Sequence, residues 1–539
     1  MPPSSTPTVA ECFVSYDIRA IQSFIFRVPK LRHVIGGSAM VDHFDRVVSG
    51  SCAESVGAIK ILAGGGKGAF RCPNSTIADK LSEDIVSRAH EFGMDIRLGC
   101  ASSFEEAAKG ADHCYPYLPP SAAMDGEPCA ASGLYPVSAK IGSMDPTIAR
   151  RIQDRGDRLY QHFERRLSVN ASNLSALVGG PWRFLSHVSQ EHETDVSADD
   201  RAEGDAGLAA LGGRRWAVIA MDGNDMGRQF GVVRDSGQDL AAWAAAMSKE
   251  LDGCSNDAVV HGLGRVVEAW HAALVKAGPA RRSRCLVPQQ GQPDELVIPF
   301  RPLVVGGDDI VVLCHAAYAM SFVQAACETW ERRSQRPASG SDARWLWPAT
   351  SGRTTISAGV LFCPVTMPLH AAVPYAEALL ASAKAGGRSV KRPHDQPSPA
   401  FIDWESVTES VLDNPADRRR RELEFIDGDT NSRVSLTRRP YSMRDFAELE
   451  KCALSGPIAR LPRSIRSKVL PALRQASGDR LLASLQFGKR HEVIASVLKD
   501  GGDGVIGWYN DAGLRSVGLA DAIALLEESD RCGKEEDRT

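Results

Sequence analysis

The run Pro302-Leu-Val-Val-Gly-Gly-Asp-Asp-Ile-Val-Val-Leu313 sets two glycines and two aspartates between two apolar, mostly β-branched segments. Two short strands joined by a tight turn put Gly306, Gly307, Asp308 and Asp309 at the tip of a hairpin. Glycine tolerates dihedrals closed to other residues and leaves room for a phosphate or a backbone to approach. Such a tip can present both carboxylates to Mg²⁺ and a triphosphate. An ordinary hairpin with a solvated polar turn is the competing reading.

At 539 residues the chain exceeds what one hydrophobic core organises, so roughly two to four domains are expected. A hydrophobic fraction of 43% with a formal net charge of -4 describes a soluble globular chain and carries no global nucleic-acid signature. The 13 cysteines are scattered, the N-terminus Met1-Pro-Pro-Ser-Ser-Thr-Pro7 is polar, and no apolar run approaches membrane length. The expectation is a cytoplasmic protein with reduced thiols and no membrane contact.

Residues 11–105 read as strand, helix, hairpin, helix, strand: Cys12–Ile18, helical material over 21–44, a hairpin around Gly64-Gly-Gly-Lys-Gly68, a helix over 77–92 and a strand over 95–100. Residues 106–213 form a linker domain, irregular and cysteine-bearing at first, helical over 146–178, and a polar acidic connector over 189–213. His113, Cys114 and Cys129 lack the paired spacing of a structural zinc site. Residues 214–400 repeat the order of the first unit: a buried strand at 215–221, helices over 237–250 and 257–276, the 302–313 hairpin, a helix over 316–333, a strand at 354–361 and a helix over 374–384. Residues 401–539 read as a mainly helical C-terminal domain with helices over 442–454, 462–475 and 489–499 and a frayed acidic end from Glu527. The four arginines 418–421 read as a solvated helix face, with RNA or a partner protein as the sharper alternative.

Met221-Asp-Gly-Asn-Asp-Met-Gly227 follows directly on a buried strand, so Asp222 sits at the strand's carboxyl end, where open α/β sheets present ligands. One sheet can join Asp222 to Asp308 and Asp309 as an oxygen cluster suited to Mg²⁺. Metal there acidifies an attacking ribose hydroxyl and stabilises the leaving pyrophosphate. Asn224 can coordinate or hydrogen-bond a nucleotide, and Asp225 adds a carboxylate if its turn points inward. Lys384 has the reach to neutralise a β- or γ-phosphate, Arg388 is a second phosphate candidate, and Ser357 can meet base or ribose. An exposed helix-end lysine and a strand-face serine are the plain alternatives. Gly65 and Gly66 lie in a loop that is not a Walker loop, since it lacks the four-residue gap and the Lys-Ser/Thr ending. It can hold a nucleotide through backbone N–H groups or pack against its counterpart.

With Asp17-Ile-x-x-Ile-Gln22-Ser-Phe-Ile, Gly36-Gly-Ser38, Met221–Gly227, Gly306–Asp309, Ile356-Ser-Ala-Gly359 and Ala376-Glu-x-x-Leu380-x-x-x-Lys384 in order, the chain resembles the large polymerase-related subunit of type III CRISPR effector complexes. Leu436-Thr-Arg-Arg-Pro-Tyr441 adds to the likeness. The resemblance implies an α+β fold: two ferredoxin-like palm domains of the polymerase and nucleotide cyclase kind, with a helical C-terminal domain. It implies cyclic oligoadenylate synthesis from ATP with Mg²⁺ or Mn²⁺, metals on Asp222 and Asp308, and Asp309 for metal or phosphate. Guide or target RNA and other type III subunits are the implied partners. A stand-alone defence cyclase, acting as a homodimer, and a catalytically silent RNA- and protein-binding scaffold are the alternatives. No His-Asp nuclease domain precedes the first palm, so DNA cleavage is not expected, and Asn224 stands where the family commonly has aspartate.

Overall fold

The computed structural model describes residues 11–116, 174–185, 198–408, 413–474 and 505–538, apart from positions 27, 29–30, 111–112, 213–214, 339, 427–430, 507 and 512–513 within those spans. Most of the expected 146–178 helix, Cys129 and the expected 489–499 helix lie outside the described residues.

The first sheet contains β1 (Cys12–Ile18), β2 (Ile59–Gly64), β3 (Lys67–Cys72), β4 (Ile96–Ala101) and β5 (His113–Tyr115), in the order β2-β3-β1-β4-β5. Helices fill the β1–β2 connection, and Ser75–Glu91 joins β3 to β4, capped by the Asn74 side chain at the Ile77 amide. Its buried Ala78, Leu81, Ile85 and Ala89 recur at helical spacing and turn one stripe to the core.

Beyond β6 (Trp182–Phe184), the expected polar connector contains a helix, Ala198–Leu211, whose Ala206, Ala210 and Leu211 are buried. Small apolar residues at the end of an otherwise charged segment suffice to dock it. The second sheet begins with β7 (Arg215–Gly223), buried along nearly its whole length. The two helices expected over 237–276 are one, Leu240–Ala277. Its buried face runs unbroken through Met247, Leu251, Cys254, Ala258 and Val259, and that packing outweighs the helix-weakening Gly253. A small hairpin unread from the sequence, β8 (Leu286–Gln289) and β9 (Gln292–Ile298), forms a three-stranded sheet with β6.

The expected central hairpin is β10 (Phe300–Gly306) and β11 (Asp309–His315), followed by the helix Ala319–Ser334, β12 (Ile356–Pro364) and the helix Leu369–Ser389. The sheet order is β10-β11-β7-β12-β13-β16, where β13 is Phe401–Ser406 and β16 is Tyr441–Ser442. Its first four strands repeat the first sheet's β2-β3-β1-β4, so the duplication inferred from element order is present in topology. The palm sheet also continues past residue 400, because β13 pairs in parallel with β12.

Among the described residues of the C-terminal part, helices are joined by a sheet that the sequence did not announce: β14 (Glu424–Ile426), β15 (Arg433–Ser435), β17 (Trp508–Asp511) and β18 (Leu514–Val517) form four strands. The expected frayed tail is instead the helix Leu519–Arg538, anchored where Glu528 pairs with Arg215 of β7 at 2.6 Å. The arginine run lies on the helix Pro415–Leu423 and is taken up by the protein itself. Arg419 is buried on Asp403 through two 2.7 Å bonds, and Arg418, Arg420 and Arg421 pair with Glu422, Asp417 and Asp413. Among the described residues no helix is long and apolar enough to cross a membrane.

Candidate active site

Strand register brings the acids together. Asp309, first residue of β11, lies opposite Asp222 of β7, and Gly306 lies opposite Asp309 across the hairpin. The two-residue tip is Gly307-Asp308, and Gly307 has φ +59°, a backbone closed to most other residues and the pattern of a type II′ turn. Burial, then the charges of Asp222 and Asp309, push the Asp308 carboxyl far above the usual range. Asp309 is pushed up to about 6 by burial and Asp222, against the pull of Lys384 and Lys67. Lys384 forms an ion pair with Asp222. The lysine's position depends on Gly359 of β12, where a Cβ would lie 2.2 Å from the Ala376 carbonyl oxygen; the missing side chain lets the helix Leu369–Ser389 rest directly on the sheet.

The first palm faces this turn with its own. Gly65 and Gly306 meet backbone to backbone, a Cβ on Gly306 falling 3.5 Å from the Gly65 nitrogen. The β2–β3 hairpin matches the β10–β11 hairpin position for position: Gly64 pairs with Lys67 as Gly306 pairs with Asp309, and Lys67 lies opposite Asp17 as Asp309 lies opposite Asp222. Gly66 therefore stands where the second palm has Asp308, and Lys67 where it has Asp309. One hairpin carries carboxylates and the other an ammonium that acts on them.

Asn224 and Ser357, expected at the nucleotide, are spent on each other. Asn224 is 4% exposed, and its Nδ2 donates to Thr355 Oγ1 at 2.8 Å and Ser357 Oγ at 3.0 Å. The Ser357 hydroxyl is buried, donates to Asn224 Oδ1 and accepts from the Phe401 amide at 3.2 Å. Neither side chain is presented to a ligand. Asp225, in the left-handed region at φ 62°, accepts from the Ser398 amide and hydroxyl and so anchors the segment before β13. Arg388 is exposed in the last turn of its helix.

Four participants escaped the sequence reading. Asp252 accepts from the Gly307 amide at 2.9 Å, and Ser255 donates to the Gly307 carbonyl, both from the helix Leu240–Ala277. Lys67 lay unremarked inside the glycine loop. Glu377 is raised to about 7 by burial and then Asp309, and its Oε1 is buried without a hydrogen bond. Its spacing of two helical turns from Lys384 was the available signal.

Among the described residues no three His, Cys, Asp or Glu side chains already converge as a metal cage. The donor chemistry still fits a hard divalent cation, which takes one or two carboxylates and completes its shell with water and phosphate oxygens. Carboxylates forced upward in pKa by one another, with an orphaned Glu377 oxygen beside them, are the charge excess that such a cation relieves.

Two packed ferredoxin-like sheets with acids on the central hairpin of the second define a protein of the palm class, the fold of polymerases and nucleotide cyclases. Residues 215–390 match the Cas10/Cmr2 second palm domain family. Among solved structures, the chain is similar to a Csm1-Csm4 cassette in complex with cA3, at TM-score 0.50 and 13% identity over 96% of this chain and 70% of that one. A Csm1-Csm4 cassette with cA4 matches at 0.49 and 14% over 98% and 70%, and Csm1 of T. onnurineus at 0.48 and 14% over 98% and 69%. No curated protein matches the sequence. Residues 215–390 therefore carry a palm domain of the Cas10/Cmr2 kind.

Proposed function

We propose that this protein is a metal-dependent nucleotidyltransferase that joins and cyclises ATP into cyclic oligoadenylate, as a subunit of a type III CRISPR effector complex with guide and target RNA. The observation that carries the reading is the pairing of Asp309 with Asp222 beside Asp308, which concentrates three carboxylates at one strand end. The Cas10/Cmr2 match over this domain supports it, as does the likeness in fold to a Csm1-Csm4 cassette that holds cA3.

Asp222 and Asp308 would hold Mg²⁺ or Mn²⁺, with Asp309 and Glu377 adding negative charge or second contacts. A cation there supplies neutralisation of the phosphates and acidifies the attacking hydroxyl. Lys384, now paired with Asp222, can turn to the triphosphate once that carboxylate is engaged elsewhere. Lys67 brings a second ammonium from the opposite hairpin, and the missing side chains of Gly65 and Gly306 let the two turns meet backbone to backbone. Rate enhancement would come from holding two nucleotides in line beside the paired turns and from matched charge around the reacting phosphate.

Purified protein is incubated with each NTP and Mg²⁺ or Mn²⁺, with and without activator RNA, and the products are identified by mass spectrometry. Cyclic oligoadenylate from ATP, lost in Asp308→Ala plus Asp309→Ala, is the expected result. The same product from the double variant sinks the reading.

A further inference from the structure

The helices Leu240–Ala277 and Ala319–Ser334 border an open cleft of about 690 Å³ that none of the palm residues above enters. That volume falls within the roughly 300–1,000 Å³ of small-molecule sites. Four arginines line it, Arg265 from the first helix and Arg332, Arg333 and Arg336 from the end of the second and just beyond. Arg333 is committed, bonding Glu250 at 2.8 Å and Asp257 at 2.9 Å. Arg265, Arg332 and Arg336 have no carboxylate partner among the described residues, and Arg332 donates to the neutral Thr329 hydroxyl. Compensation of the helix dipole accounts for Arg332 and Arg333 in the last turn. It does not account for Arg265, which comes from another helix, or Arg336, which lies past the helix end. Leu174, Leu177 and Val260 add an apolar strip to the lining, Glu268 and His261 also border it, and nothing lies within 4 Å of a Cβ built on Gly264.

We propose that this cleft binds a nucleoside polyphosphate, the three uncommitted guanidinium groups taking the phosphates and the apolar strip the base. Planar guanidinium forks match phosphate oxygens, and stacking against an aliphatic strip suits a purine. The site uses neither Asp222, Asp308 nor Asp309, so it stands apart from the proposed reaction. Its position gives it consequence: Asp257, Val260, His261 and Gly264 lie on one face of the helix whose other face offers Asp252 and Ser255 to Gly307. Cleft and acidic turn share a single rigid element.

Equilibrium dialysis of the purified full chain with labelled ATP in EDTA isolates this site from metal-dependent binding. The expected result is saturable binding, weakened by added salt and by roughly tenfold or more in Arg265→Ala plus Arg336→Ala, and unaltered in Asp308→Asn. Thermal unfolding of the arginine variant should match the parent, since both side chains are exposed. Photolabelling with 8-azido-ATP should mark peptides covering 257–268 or 329–336. Absence of saturable binding, equal binding by parent and arginine variant, labels confined to the palm hairpins, or binding of a short single-stranded RNA without binding of ATP would each overturn the proposal.

Discussion

The Gly307 amide donates to Asp252 Oδ1 at 2.9 Å, tying the turn that carries Asp308 and Asp309 to the middle of the helix Leu240–Ala277. The other carboxylate oxygen of Asp252 accepts from Arg46 of the first palm at 3.4 Å. One side chain therefore ties the acidic turn both to its own helix and to the neighbouring domain.

Asp252 is placed to position the turn without touching nucleotide. Asp252→Ala frees the Gly307 amide, and a sub-ångström drift of the carboxylates is expected to lower kcat by about tenfold to a hundredfold with little change in KM. Asp252→Asn retains an acceptor and should recover most of the rate. Initial rates across ATP concentrations check this, and an unchanged kcat in the alanine variant contradicts it.

Asp45 makes the first palm sensitive to pH. The Gly66 amide and the Tyr16 hydroxyl donate to its carboxylate at 2.6 and 2.8 Å, yet complete burial pushes the carboxyl up to about 7 from 3.8. The folded protein then binds this proton more tightly than the unfolded chain does. Its contribution is fully present below pH 3.8 and is lost as pH rises through about 7. Relative to Asp45→Asn, the wild type should lose denaturation midpoint steadily across that window. A difference between the two proteins that stays constant with pH refutes the assignment.

Glu528 is the sole carboxylate on the Arg215 guanidinium among the described residues, and both side chains are nearly fully buried. Arg215 also donates to the carbonyls of Val407 and Phe362, so it cannot move out to solvent cheaply. Glu528→Ala leaves that charge stranded and should cost about 3–5 kcal/mol in chemical denaturation. A loss below about 1 kcal/mol would show that the terminal helix is not docked through this pair.

Asn224→Asp, which supplies the carboxylate that a metal site at this turn would use, is expected to harm the protein. The amide Nδ2 supplies both Thr355 Oγ1 and Ser357 Oγ, while the Thr355 hydroxyl is already given to the Ser398 carbonyl. A carboxylate removes that donor inside a buried cluster and should destabilise by about 1–3 kcal/mol without raising activity. A thermal melt beside a product assay decides, and a faster enzyme of unchanged stability is the contrary result.

The acids were legible because each follows or opens a strand whose apolar run is unmistakable: Arg215–Met221 delivers Asp222, and Ile310–Leu313 fixes Asp309. Local pattern also revealed the repeated element order, since β-branched runs and glycine turns are set within a few residues. The long helix was misread as two, and the terminal helix as a frayed tail, because both are held by contacts far away in sequence, Gly253 being carried by the buried helix face and Glu528 by Arg215. Asn224 shows the same divide at the site itself, as its neighbours Thr355 and Ser357 arrive on a strand over a hundred residues later.

The glycine-aspartate hairpin and the strand-end Asp222 were thus determined by the sequence alone, since turn chemistry and alternation act locally. Only the tertiary structure decided that the first palm's glycine turn meets the second's, that Lys67 occupies in one hairpin the place of Asp309 in the other, and that Asp252 holds the turn between them. Those relations depend on strand register and domain packing, in which the partners of each residue are chosen by the whole core rather than by its neighbours in the chain.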